Sequence, residues 1–251
     1  MLRSRVIPVL LLRGLDLVKT KQFKNPVYVG DPINAVKIFN LKEVDELIFL
    51  DIEASKNDSD PKYDLIADIA SEAFMPFGYG GGIRSIEQIR KLLRIGVEKI
   101  ILNTSLSDIA FVKEAVDIFG TSTIVASVDI INKNGSNFVY THKKRATLNA
   151  PVLDYIKQIE EVGVGELMVN SVDRDGMYTG YDIALLNEIS HSVDIPVVAC
   201  GGAKNLADIE KVFNETACTA AAAGSMFVFY GRHNAVLITY PEKEELENLH
   251  I

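Results

Sequence analysis

Short runs of consecutive apolar residues recur along the chain. They are VIPVLLL (6–12), LIFLDI (47–52), MPFGYG (75–80), KIILNT (99–104), TIVASVDI (123–130), ELMVNSV (166–172), IPVVACG (195–201) and CTAAAAGS (218–225). Unbroken apolarity, rather than strict alternation, marks strands covered on both faces. Between most of them lie helix-length amphipathic stretches such as SIEQIRKLLRIG and VLDYIKQIEEVG. Strand and helix alternating about eight times predicts parallel βαβ units, and no stretch reads as an interdomain linker.

The chain also resembles itself at an offset of 120 residues. VDELIFL (44–50) falls on VGELMVN (164–170), and MPFGYGGGI (75–83) falls on IPVVACGGA (195–203), which superposes Pro76, Gly81 and Gly82 on Pro196, Gly201 and Gly202. Ser105 falls on Ser225. Any two βα units share glycines and apolar runs, but matches on one diagonal across three units point to duplication. The expected architecture is α/β: one (β/α)8 (TIM) barrel over residues 1–251, built from two related half-barrels of about 1–120 and 121–251.

Composition narrows the function classes. The 251 residues are 48% hydrophobic and 24% charged, ordinary for a globular domain with a sizeable core. A net charge of −8 argues against binding the phosphate backbone of nucleic acid. The two cysteines, Cys200 and Cys218, make no disulfide framework and suit a reducing compartment. His142, His191, His233 and His250 are scattered without ligand spacing, so no metal is expected, and no cofactor either. The start MLRSRVIPVLLLRG imitates a signal peptide, but its apolar run is short, Arg13 interrupts the exit, and no small-x-small cleavage site follows. No segment approaches the ~20 apolar residues of a membrane span. A cytoplasmic protein with no membrane partner is expected.

In such a barrel the reactive face is built from the loops after the strands. Two related turns, YGGGIRS (79–85) and ACGGAKN (199–205), follow strands and lead into helices. Glycine allows close backbone approach, and free N–H groups of the following helix can face an anion. Asn103-Thr104 and Gly224-Ser225 end the next strands and add donors. The pair suits a ligand phosphorylated at both ends; each turn alone is equally at home as a plain βα connection. The long segment 14–32 carries Lys19, Lys21 and Lys24 and reads either as a mobile lid for a polyanion or as a solvated surface loop.

Asp51, Asp129 and Asp175 stand at or just after strand ends, where a carboxylate serves proton transfer or caps a neighbouring helix. Asp129, closing TIVASVD, is the favoured candidate for chemistry, and Asp175 sits in the turn-like SVDRDG. At the opposite strand ends, Arg5, Glu46, Lys99 and Glu166 each precede an apolar run. Two positive and two negative charges there can pair into a ring across the floor.

GDP (30–32), FLDIEAS (49–55), YGGGIRS, LNTS (102–105), SVDRDG and CGGA (200–203) together resemble the cyclase subunit family of imidazole glycerol phosphate synthase, over about residues 1–230. The resemblance implies a glutaminase partner docked on the N-terminal face, ammonia passing a gate of Arg5, Glu46, Lys99 and Glu166, and a doubly phosphorylated substrate at the C-terminal face. It implies phosphate sites at Gly82, Asn103 and Thr104 and at Asp175, Gly176, Gly202 and Ser225. Lys19 falls on the basic residue of the mobile loop, Asp51 joins the substrate-binding residues, and Asp129 matches one of two catalytic aspartates.

Leu11 falls where the other should be. The family reads roughly I-P-C-L-D-V-K at this strand, and this chain reads IPVLLLR. Two further departures accompany it: tyrosine in place of tryptophan after the fifth strand's loop, and small residues throughout TAAAAGS. The resemblance therefore also extends to paralogues that serve surface-polysaccharide synthesis with a glutaminase and a sugar amidotransferase. Two other readings stay open: a working histidine-synthesis cyclase in which Asp51 covers for Leu11, and a non-catalytic scaffold that activates the glutaminase.

Overall fold

In the computed structural model, which describes residues 4–247 and Leu249, eight parallel strands close into a barrel. His250 and the basic start of the N-terminal run, residues 1–3, lie outside the described residues. The barrel strands are β1 (Arg5–Arg13), β2 (Leu47–Asp51), β3 (Phe77–Gly80), β4 (Lys99–Leu102), β5 (Ile124–Lys133), β6 (Glu166–Ser171), β7 (Val197–Cys200) and β8 (Ala220–Ala223). Each pairs in parallel with the next, and β8 returns to β1 with Arg5 opposite Ala220. Helices α1 (Pro32–Leu41), α2 (Tyr63–Glu72), α3 (Ile86–Ile95), α4 (Ile109–Phe119), α5 (Val152–Glu161), α6 (Ile183–Ser190), α7 (Leu206–Glu215) and the short α8 (Ser225–Val228) follow the strands in turn.

The strand pleat explains why the runs are apolar throughout. Successive side chains point to opposite faces, so Ile7, Val9, Leu11, Ile48, Ile101, Val125, Met168 and Val198 fill the barrel's interior. Their neighbours Leu10, Leu12, Phe49, Ile100, Leu102, Val169 and Ala199 pack outward against the helices. Two cores thus share one set of strands. The same parity carries Arg5, Glu46, Lys99 and Glu166 to the inner face at the floor, one step below Ile7, Ile48, Ile101 and Met168.

Two segments read as loops are ordered as strands. Residues Asp16–Lys21 turn back antiparallel on β1, with Leu11 opposite Val18, and pair with Lys24–Gly30. After β5, which runs on past Asp129 to Lys133, Ser136–Thr141 returns antiparallel with Asp129 opposite Tyr140. Both segments mix β-branched and polar residues (DLVKTK, SNFVYT), which suits a half-exposed hairpin better than a coil. The first hairpin is also held by Gln22, whose backbone N–H donates to the Asp175 carbonyl and whose Nε2 donates to the Asp173 carbonyl. Among the described residues no helix is long and apolar enough to cross a membrane.

Candidate functional site

At the floor the four inward charges form a closed ring. Arg5 pairs with Glu46 and Glu166 through separate guanidinium nitrogens. Lys99 Nζ lies 2.8 Å from Glu46 Oε2 and 2.9 Å from Glu166 Oε2. Both carboxylates are buried. Burial alone would lower the Arg5 pKa, but the facing Glu166 and Glu46 outweigh it and raise it, keeping the guanidinium charged. Above the ring the lumen is lined by apolar side chains up to the mouth.

At the mouth, Leu11, Lys19, Asp51, Gly82, Asn103, Thr104, Asp129, Asp175, Gly176, Gly202 and Ser225 all line one concavity at the C-terminal strand ends. Its two sides differ. Val9, Leu11, Leu50 and Ile52 make an apolar wall on β1 and at the end of β2, whereas Asn103, just after β4, and Ser127, Asp129 and Asn170 on β5 and β6 make a polar one. Asn103 Nδ2 donates to Asp129 Oδ2 at 3.0 Å and to the Ser127 carbonyl at 2.9 Å, and Asn170 Nδ2 approaches Asp129 Oδ1 at 3.4 Å.

Asp51 is differently placed. It has the outward parity of Phe49, and its Oδ1 accepts from the Glu53 and Ala54 N–H groups at 2.9 and 3.0 Å. Its Oδ2 pairs with Lys62 Nζ at 2.6 Å. Both oxygens therefore hold the turn after β2. Asp175 accepts from Thr20 Oγ1 at 2.9 Å and faces Lys19 Nζ at 3.5 Å. Lys19 is thus buried in a hairpin and paired with a carboxylate, not free on a loop.

The turns after β3 and β7 share a backbone form: Gly81 and Gly82 have φ of 123° and 73°, and Gly201 and Gly202 have 93° and 108°. Capping side chains already engage some of the N–H groups at the starts of their helices. Ser85 Oγ caps Gln88 N on α3, Gln88 Oε1 accepts from the Arg84 and Ser85 N–H groups, and Asn205 Oδ1 caps Asp208 N on α7. Each cap satisfies one first-turn donor, and the glycine turns, Thr104 and Ser225 line the concavity beside them. A methyl at Gly202 would run into the Gly180 carbonyl oxygen, and one at Gly82 would come 2.7 Å from the Ser59 carbonyl oxygen. With positive φ added, Gly202→Ala is expected to cost about 2–4 kcal/mol, read as a lower urea midpoint. An unchanged midpoint would mean the turn rebuilds freely.

Residues 5–234 match the family described as histidine biosynthesis protein. The chain belongs to that family. It is 48% identical over 98% of its length to the Pseudomonas aeruginosa protein named "Putative imidazole glycerol phosphate synthase subunit hisF2", 99% of which is covered. It is 43% identical over 98% of its length to the "subunit hisF3" of that name from Vibrio vulnificus, 95% of which is covered. The imidazole glycerol phosphate synthase subunit HisF of Staphylococcus carnosus is 39% identical over 90% of this chain and 91% of its own. This member of the histidine biosynthesis family is therefore similar across nearly its whole barrel to synthase subunits.

Within that family frame the electrostatics of Asp129 stand out. Burial pushes its carboxyl up to about 7, against the Asn103 and Asn170 hydrogen bonds that lower it, while Asp175 adds to the rise. A group poised there can both accept and return a proton near neutral pH. The folded protein holds this proton more tightly than the unfolded chain, whose aspartate titrates near ~4. Stability therefore falls as pH rises from about 4 to about 7, then levels off. Asp129→Asn is expected to flatten this slope in urea midpoints taken across that window. Parallel profiles for the two proteins would show that the amide hydrogen bonds win.

Among the mouth residues that sequence reasoning missed are Asn170, Phe23 and His142. Asn170 carries no motif and is recognised only because its parity places it beside Asp129. Phe23 and His142 come from hairpins that the pattern reads as loops, and both line the mouth.

Proposed function

We propose that this chain is the cyclase-type synthase subunit of a glutamine amidotransferase. In this reading ammonia from a partner glutaminase, docked on the N-terminal face, passes the Arg5–Glu46–Lys99–Glu166 gate and the apolar lumen. A phosphorylated, sugar-like substrate sits at the mouth, its phosphates on Gly82, Asn103 and Thr104 and on Gly176, Gly202 and Ser225. Lys19 and Asp175 brace the second side. The whole chain, 1–251, works as one barrel of two half-barrels in the cytoplasm.

One observation carries the finer reading: Leu11 and Asp129 share the inward parity at the mouth, so an acid–base pair across it lacks its strand-1 member. Leucine neither takes nor gives a proton. The barrel then serves best as a receiver and conduit of ammonia for amidation of a surface-polysaccharide sugar, with a sugar amidotransferase as third partner. The alternative, a working cyclase of histidine synthesis, needs another base. Asp51 is a poor one, because both its oxygens are engaged by Lys62 and the turn N–H groups.

Single-turnover cyclisation of the bisphosphate substrate of histidine synthesis, with excess ammonium at alkaline pH, separates the readings. The expected result is bisphosphate binding with no appreciable product. Product formation at a rate ordinary for a cyclase would overturn the proposal, and absence of binding would favour a pure scaffold for the glutaminase.

A further inference from the structure

His142 directly follows the strand Ser136–Thr141 and lines the mouth. Its ring meets Phe23, near the tip of the first hairpin, edge-on, with centroids 5.9 Å apart at 78°. It meets Tyr140 at 6.4 Å and 66°, and Phe23 and Tyr140 lie 6.3 Å apart. The three rings join the hairpin after β1 to the hairpin after β5. Tyr140 is in turn the register partner of Asp129. The adjacent Lys143 pairs with Asp58, tying the segment to the loop after β2.

Within this clasp the imidazole has no polar anchor. Nδ1 is buried with no hydrogen-bond partner among the described residues. A sealed Nδ1 cannot reach a ligand, so the ring can meet one only through Nε2, which is neither sealed in this way nor hydrogen-bonded among the described residues. Burial first, then the Arg145 and Lys56 charges, lower the His142 pKa below its ordinary value. The ring is therefore neutral at pH 7, with one nitrogen donating and the other accepting. A neutral imidazole suits an uncharged polar group. A phosphate would instead favour the protonated ring.

We propose that His142 is a positioning residue whose Nε2 hydrogen-bonds a neutral polar group, a hydroxyl or ring nitrogen, on the body of the ligand whose phosphates occupy the glycine turns. Phe23 and Tyr140 wall the imidazole and fix its angle. The inference rests on the mouth being a phosphorylated-ligand site, and it adds recognition of what lies between the phosphates.

The test uses the full-length protein labelled with 15N and two probes: the bisphosphate substrate of histidine synthesis without ammonium, and inorganic phosphate. The bisphosphate is expected to move the backbone amides of Gly82 and Gly202 and the ring nitrogens of His142. Inorganic phosphate is expected to move only the glycine amides. His142→Phe, which keeps an aromatic wall, should weaken the bisphosphate about 5-fold and leave inorganic phosphate unchanged. His142→Gln, with an amide near the Nε2 position, should recover part of that loss.

Glycine shifts without His142 shifts would overturn the inference while leaving the phosphate reading intact. Equal weakening of both probes by His142→Phe would also overturn it, since the contact would then be structural or to phosphate. If the bisphosphate moves neither the glycines nor His142, the phosphate reading and this inference fall together.

Discussion

Leu11→Asp is expected to raise ammonium-dependent cyclisation by about 10²–10⁴-fold in single turnover, the usual worth of a positioned proton-transfer group. Position 11 has inward parity, lines the mouth and is 8% exposed, so a carboxylate there reaches the concavity that holds Asp129. Its surroundings, Val9, Leu50 and Cys200, are apolar and disfavour the charged form. An introduced aspartate should therefore titrate above its ordinary value, toward the range of Asp129. Exchanging a nearly buried leucine forfeits about 1.5–3 kcal/mol of apolar burial, so the variant's urea midpoint is measured beside its rate. Leu11→Asn, equal in size but unable to exchange a proton in this way, should show no such gain. A folded Leu11→Asp protein that binds bisphosphate without any increase in rate would show that the missing function lies elsewhere than strand 1.

Removing one member of the floor ring should produce a large loss of stability. Glu46 is 2% exposed and its Oε2 pairs with both Arg5 and Lys99. Glu46→Ala leaves two cations facing Glu166 alone. Breaking a buried ion pair from one side costs about 3–5 kcal/mol. Here the side chains of Arg5 and Lys99 are 26% and 20% exposed and can regain some water. The expected cost is therefore about 3 kcal/mol, or a fall of about 6–12 °C in Tm for a domain of this size. Glu46→Gln, which keeps the shape and one acceptor, should lose less. Under the proposed ammonia route the same variants separate conduction from chemistry: cyclisation by Leu11→Asp with external ammonium should outlast a substitution in the ring better than glutamine-driven turnover does. A Tm within 1 or 2 °C of the unmodified protein would mean that the ring contributes little to folding, as exposed pairs commonly do.

Much of this was legible along the chain because strand burial writes itself into sequence as unbroken apolar runs. The runs from VIPVLLL to CTAAAAGS place every barrel strand to within a few residues, and the 120-residue diagonal links the two glycine turns and the two glutamates of the floor ring. A strand's interior direction is set by a period of two, so Arg5, Glu46, Lys99 and Glu166 fall on one face by counting.

Other features depend on which segments meet. The hairpins at 16–30 and 136–147 look like loops because each is half exposed and gains its order from antiparallel pairing with the ends of β1 and β5. Asp51 and Asp129 are both acids near strand ends, yet opposite parity makes one a turn brace tied to Lys62 and leaves the other under the amides of Asn103 and Asn170. The helix caps at Ser85 and Asn205 had donors to fill before any anion could use them. His142 and Phe23 carry no motif at all, and only the meeting of two distant hairpins brings their rings together. Local composition sets where strands form and which way they face; the pairing of remote segments decides which polar atoms are spent on the fold and which remain for a ligand.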